Sequence, residues 1–287
     1  MNEKTKISAW RAIVGAVSAI LILLVSQIAA MLIGSGVIAL GPPNAAGNVV
    51  SAILYPMFTL LALRLMCGKL LGVTLADCRI TRYNVKPVWA VAAFLMPAIA
   101  VGGLLLTDGH WDNTQMDGFQ IADSVTSSVF VVGLAVGAVE EAVFRGVVMK
   151  ALEMRWGKAV AIIVPSAMFG AIHVLNGKLS PVSFIQLLIA GSIVGILFSL
   201  VTYESGSIWS AALMHSIWNM FMASGILNIG TEPMDTCIFN YVLESKSTLI
   251  TGGEFGAEAS IISVSAYLIF TVIAVILLCN KSREAAV

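Results

Sequence analysis

The chain has only three histidines in 287 residues, and two of them, His173 and His215, lie inside otherwise apolar stretches. The one pair of adjacent carboxylates, Glu140-Glu141, does too. A charged group at the centre of a bilayer costs roughly 2.5–3.5 kcal/mol on insertion scales, so such residues usually face a bundle interior or a water-filled cavity. Helical spacing sorts them further. Glu141 and Arg145 are i,i+4 with the acid on the N-terminal side, the favourable order for an ion pair on one face. Glu140 points about 100° away from Glu141, so one carboxylate can be paired while the other stays available. A carboxylate in apolar surroundings suits a general base. His215 and Asn219 share a helix face, as do Phe169 and His173. The first of these pairs offers two hydrogen-bond donors, or two ligands, to one point.

Each feature also has a plainer reading. A Glu–Arg pair near a membrane surface often only anchors a helix end. A lone membrane histidine often bonds a neighbouring helix. Trp218, Met220 and Met222 read as packing, and His110 as a solvated loop residue. The joint pattern of three polar features on three successive motif-bearing helices weighs against chance.

The elements that must carry these residues are membrane helices. The chain is 59% hydrophobic and 11% charged, where soluble domains carry about 25% charged residues. Net charge is zero with no basic patch, which argues against nucleic acid. Cys67, Cys78, Cys237 and Cys279 are far apart in sequence, with no CxxC spacing. Eight spans are expected, beginning with Ala12–Leu40 and followed by 49–63, 88–107, 124–149, 159–175, 181–202, 207–229 and 259–280. Most lie near the ~20 residues that a crossing helix needs, and the second and fifth are short. A signal peptide also starts with basic residues, but its apolar region is only about 7–15 residues, so the first stretch reads as a retained helix. The fold class predicted is all-α, a polytopic transmembrane bundle forming a single domain over 1–287, with a motif-bearing core at 124–229.

Lys and Arg set the orientation. With the N-terminus inside, Lys4, Lys6, Arg11, Arg64, Lys69, Arg79, Arg82, Lys86, Arg145, Lys150, Arg155, Lys158, Lys281 and Arg283 fall inside, and only Lys178 and Lys246 outside. Both termini are therefore expected in the cytoplasm, and the compact loops fit a bacterial plasma membrane. One tension appears. Glu140 lies 16 residues into its span from outside, about 24 Å at 1.5 Å per residue. His173 lies 14 residues into its span from inside. These heights differ by several ångströms unless the helices are longer, tilted, or kinked at Pro165.

The set Glu140-Glu141-x-x-x-Arg145, Phe169-x-x-x-His173 and His215-x-x-x-Asn219 resembles, in order, spacing and placement, the signature of the CPBP intramembrane proteases. That family is named for CAAX proteases and bacteriocin-processing enzymes and is also called Abi. Some relatives carry Asp where this chain has Asn219. The resemblance implies a bundle of eight helices around a water-accessible cavity, and peptide-bond hydrolysis. It implies that Glu140 activates water, that His173 orients or shares it, and that His215 and Asn219 stabilise the oxyanion. Glu141 and Arg145 would hold the geometry, with Phe169 in support. Metal is left open. Zinc could take His173, His215 and a Glu or Asn, since a catalytic zinc needs about three protein ligands plus water; the same residues also make a complete site around a Glu-activated water.

Three functions from different classes follow. The first is an intramembrane endopeptidase acting on a membrane-associated, CAAX-type or peptide-precursor substrate that enters from the membrane or the cytoplasmic side. The second is a non-catalytic immunity or scaffold protein of the same fold. The third is a proton-coupled transporter, disfavoured by the lack of internal repeats and paired broken helices.

Overall fold

The computed structural model describes residues 7–176 and 178–284. Among the described residues eight helices of more than ten residues carry the fold: α1 (Ala9–Ala39), α2 (Asn44–Leu71), α3 (Pro87–Leu105), α4 (Gly118–Trp156), α5 (Lys158–Ile172), α6 (Pro181–Ser205), α7 (Trp209–Met222) and α8 (Ile261–Glu284). Their ends follow local chemistry. The Ser8 hydroxyl caps α1 by accepting from Arg11 N–H, and Gly41-Pro42-Pro43 separates α1 from α2. Asp117 and Gln120 cap α4 reciprocally: Asp117 accepts from the Phe119 and Gln120 amides, and Gln120 accepts from the Asp117 amide. Ser180 with Pro181 opens α6. Gly157 at φ 86° closes α4, and Gly206 at φ 76° closes α6, a backbone region that disfavours side chains.

The chain is an integral membrane protein of all-α architecture. Six helices are long and apolar enough to cross a membrane: α1, α2, α3, α4, α6 and α8. Their outer faces are apolar. On α1, Ile13, Val17, Leu21, Val25, Ile28 and Leu32 form an exposed stripe at helical spacing. The opposite face of α1 buries small residues, among them Gly15, Ala16 and Ala19, which let helices approach closely.

The remaining two helices depart from expectation. α5 has 15 residues and α7 has 14, below the ~17–25 of a full crossing. The expected span 207–229 ends early because its last residues form a strand. Three short strands lie at one end of the bundle: β1 (Gly109–Trp111), β2 (Leu227–Gly230) and β3 (Phe239–Leu243). They form one sheet in the order β1-β3-β2, with β1 antiparallel and β2 parallel to β3. Asn240 pins this sheet end: its side chain meets Asn228, the Met234 amide and Thr114. The expected loops 108–123 and 230–258 are thus tied to each other. At the opposite, basic end lie Arg79, Arg82, Lys86, Lys150, Arg155 and Lys158, where Arg79 pairs with Glu153 and Lys86 with Glu204. Lys4 and Lys6, expected on that side, lie outside the described residues.

The tension in depth disappears. α4 starts earlier and ends later than expected, and it meets α5 at the Trp156–Lys158 turn. Glu140 is 16 residues from that turn along α4, and His173 is 15 along α5. The two residues are brought to one level: the Phe169 ring lies between the rings of His173 and His215, and His215 faces Glu140. Pro165 lies inside α5 without ending it.

Candidate active site

α4 is not regular where it carries the first motif. The turns Ser127–Val136 and Ala142–Val148 are wound as π-helix, and the α-helical segment Gly137–Glu141 lies between them. π-turns inside α-helices occur frequently at functional sites. α7 runs against this segment at close range. A Cβ on Gly137 would sit 2.9 Å from the Ser216 backbone, so only glycine permits this approach. The result is that His215, next to Ser216, meets both carboxylates of α4.

Glu141 is the hub. Its Oε1 lies 3.0 Å from Arg145 NH1 and 3.0 Å from His215 Nδ1. Glu141 and Arg145 are fully buried. An ionised carboxylate only accepts, so Nδ1–H of His215 donates to it. Arg145 is packed among aromatic faces, with Cζ 4.4 Å from the Phe169 ring centroid and 5.4 Å from that of Phe198. The ring of Phe198 also stacks on His215, with centroids 5.2 Å apart. Salt bridge and stacking together fix the imidazole plane.

Orienting Nδ1 leaves Nε2 facing Glu140. Glu140 Oε2 lies 3.7 Å from His215 Nε2 and is buried without a hydrogen-bond partner. A buried polar atom left unpaired is costly, and at 3.7 Å the two groups are too far apart for a direct hydrogen bond. The pair is therefore a ready acceptor–donor clamp for one small polar group.

His173 stands at the end of α5. Its Nδ1–H donates to the Phe169 carbonyl at 2.7 Å, which leaves Nε2 unengaged by that bond. The Phe169 ring lies between the two histidines, 4.8 Å from the ring of His173 and 5.7 Å from that of His215. The structure gathers Glu140, Glu141, Arg145, Phe169 and His215 in direct contact and brings His173 to them through Phe169. Asn219 is set apart. Its amide N–H donates to the Val132 carbonyl at 3.1 Å, on the π-wound part of α4, and among the described residues it makes no hydrogen bond to Glu140.

One further carboxylate adjoins the site. Glu258, on the turn before α8, accepts from the Trp218 indole N–H at 2.7 Å. Burial raises its pKa above the usual carboxylate range, the Trp218 bond and the nearby His173 and His215 lower it, and Glu140 raises it. Trp218, read from the sequence as packing, thus has a polar partner. The signal available was a lone acid just ahead of an apolar span, which also describes an ordinary solvated helix start. Phe255, on the same loop, packs edge-on near His173 with centroids 6.3 Å apart.

A zinc centre does not fit these side chains. Among the described residues no three His, Cys, Asp or Glu converge on one point, which falls short of the about three protein ligands that a catalytic zinc takes.

Against known families, residues 122–221 match the model described as Rce1-like, type II CAAX prenyl endopeptidase Rce1-like. The match covers 100 of the 287 residues, so it is a likeness of this stretch. The resemblance read from the three motifs is borne out, and the match supports a CAAX-type intramembrane endopeptidase in general. The Rce1-like stretch runs from α4 to near the end of α7 and contains every motif residue, whereas Glu258 and helices α1, α2, α3 and α8 lie outside it. No curated protein and no solved structure matches the chain.

Proposed function

We propose that the chain is an intramembrane endopeptidase whose nucleophile is a water activated by Glu140. The observation that carries this is the buried, unpartnered Glu140 Oε2 facing His215 Nε2 at 3.7 Å, with the far side of His215 held by Glu141.

Glu140 takes a proton from water as its oxygen attacks the scissile carbonyl carbon. The carbonyl oxygen becomes an oxyanion. Glu140 then passes that proton to the amide nitrogen, the C–N bond breaks, and an amine and a carboxylic acid form, the acid giving its proton to the amine or to solvent as the products leave. For His215 to donate from Nε2 to the oxyanion it must carry both ring protons, because Nδ1–H is already used. His173 supplies Nε2 on the other side of Phe169 and orients the water. Asn219 joins the oxyanion site only on exchanging its bond to Val132, and meanwhile it ties α7 to α4. Glu141 and Arg145 act as the Asp does in a Ser-His-Asp triad, fixing tautomer and orientation.

The substrate proposed is a membrane-associated protein or peptide precursor of CAAX type, reaching the site from the membrane or the cytoplasmic side. The gathering of basic residues at the end opposite the sheet supports both termini being cytoplasmic.

The test is cleavage of a quenched prenylated peptide by the detergent-purified protein, with Glu140→Ala and His173→Ala compared and a chelator added to each. The reading expects cleavage by wild type only, unaffected by the chelator. Equal cleavage by all three proteins would place the chemistry elsewhere. No cleavage by folded wild type across prenylated and unprenylated peptide sets would favour the non-catalytic reading. Loss on chelation would assign the water's activation to a metal.

A further inference from the structure

The turn Ala257–Ala259 lies far along the chain from the three motifs, yet the structure fixes it more firmly than a connecting loop requires. Three consecutive carbonyls are taken by side chains from two helices. Ser263 Oγ of α8 donates to the Ala257 carbonyl at 2.7 Å, and Tyr267 Oη of α8 to the Glu258 carbonyl at 3.2 Å. Gln186 Nε2 of α6 donates to the Ala259 carbonyl at 3.1 Å. The same Gln186 nitrogen reaches the Thr248 carbonyl at 2.7 Å. Upstream, Glu254 accepts from the Ser180 hydroxyl at 2.8 Å and so ties the loop to the start of α6.

What this scaffold holds in place is one carboxylate. Glu258 Oε1 accepts from Trp218 Nε1–H at 2.7 Å, and the Trp218 ring packs on Tyr267 with centroids 4.8 Å apart. Trp218 is buried and lies between His215 and Asn219 on α7. α7 is short and needs such a hold. It packs on α4 through glycine contacts, and beyond Met222 it gives way to the strand β2. A rotation of α7 would change the gap of 3.7 Å between His215 Nε2 and Glu140 Oε2.

We propose that Glu258 is a further residue of this site, a positioning residue that fixes the rotation of α7 through Trp218 and thereby sets His215 against Glu140. The inference rests on the peptidase reading. It makes α8 and its leading turn part of the working site, although both lie outside the stretch that matches the family.

The test uses the full chain in detergent and the prenylated peptide, with Glu140→Ala as the inactive reference. Glu258→Gln keeps an acceptor for the indole. Glu258→Ala removes it, and Trp218→Phe removes the donor. Glu258→Ala is expected to lower kcat about tenfold or more with KM changed less than about twofold, and Glu258→Gln to restore it to within about threefold. Glu258→Ala combined with Trp218→Phe should be no worse than the poorer single variant, since both break one bond. The Trp218 indole N–H resonance, assigned by its loss in Trp218→Phe, should move in Glu258→Ala and stay near its place in Glu258→Gln. If Glu258→Ala fails to fold, Trp218→Phe and Glu258→Gln carry the same comparison. Full activity in Glu258→Ala beside an inactive Glu140→Ala would overturn this inference alone. Losses that multiply in the double variant, or a resonance that does not move, would overturn it as well. Cleavage by Glu140→Ala at the wild-type rate would overturn the peptidase reading beneath it.

Discussion

Glu141 Oε1 and His215 Nδ1 stand 3.0 Å apart between two helices, and Arg145 closes on the same oxygen from one turn further along α4. Glu141 Oε1 is thus committed on two sides, while Oε2 of each glutamate is buried without a hydrogen-bond partner; the proposed base is Glu140, whose Oε2 faces His215 Nε2. The division of labour between adjacent glutamates comes from the helix: neighbours about 100° apart face different partners.

Removing one member of this buried pair should cost more than the pair contributes, because the other charge is left unpaired. Arg145→Met is expected to destabilise the protein by about 3–5 kcal/mol, visible as a lower thermal midpoint in detergent. Glu141→Gln keeps the shape and one acceptor but removes the charge beside His215. It is expected to lower kcat by about 10–100-fold, the usual scale for a supporting partner of a histidine, with the fold retained.

The first motif and its partners were legible in the sequence because polar groups in apolar helices are few and their i,i+4 spacing is informative. Glu141–Arg145 and the joint placement of Glu140, His173 and His215 could be argued from spacing and resemblance. Three things were not legible. The length of α4 was hidden because its last turns, Lys150–Trp156, carry Lys150, Glu153 and Arg155, so the apolar run stopped short of the helix end and created the false mismatch in depth. The early end of α7 was hidden because Leu227–Gly230 is apolar in either a helix or a strand; pairing with β3 decides it. Glu258 was hidden because its role depends on a contact with Trp218, 40 residues away in the chain.

Gly137→Ala tests whether the close approach of α7 matters. The new methyl would meet the Ser216 side chain at 2.6 Å and its backbone at 2.9 Å. Backbone cannot yield as a side-chain tip can. The substitution is expected to cost about 1–3 kcal/mol of stability and to lower kcat more than it raises KM, because it pushes His215 away from Glu140. An unchanged thermal midpoint and kcat would show that the helices have slack at this point.

The loop that carries Phe255 and Glu258 should respond to acid in a defined window. Glu254 is lowered from 4.5 to about 2, first by its bond with the Ser183 hydroxyl and then by that with Ser180. A depressed carboxylate contributes stability that is fully present above its unfolded value and lost as pH falls through the folded one. The tie to Ser180 should therefore be complete above pH 4.5 and be released as pH approaches 2. Hydrogen exchange of the segment 253–256 is expected to stay slow at pH 4 and to rise below about 3, and Glu254→Gln should exchange faster already at pH 7. Equal protection in the variant at pH 7 would show that the loop is held without this carboxylate.

The most direct test of the central claim is the cleavage rate of Glu140→Gln on a prenylated peptide that wild type cleaves. Gln matches Glu in shape but cannot take the proton from water. A fall of about 10²–10⁴-fold in kcat, with the thermal midpoint kept, is the result expected of a Glu140-activated water. Cleavage within about threefold of wild type would contradict it and would take the general base away from Glu140.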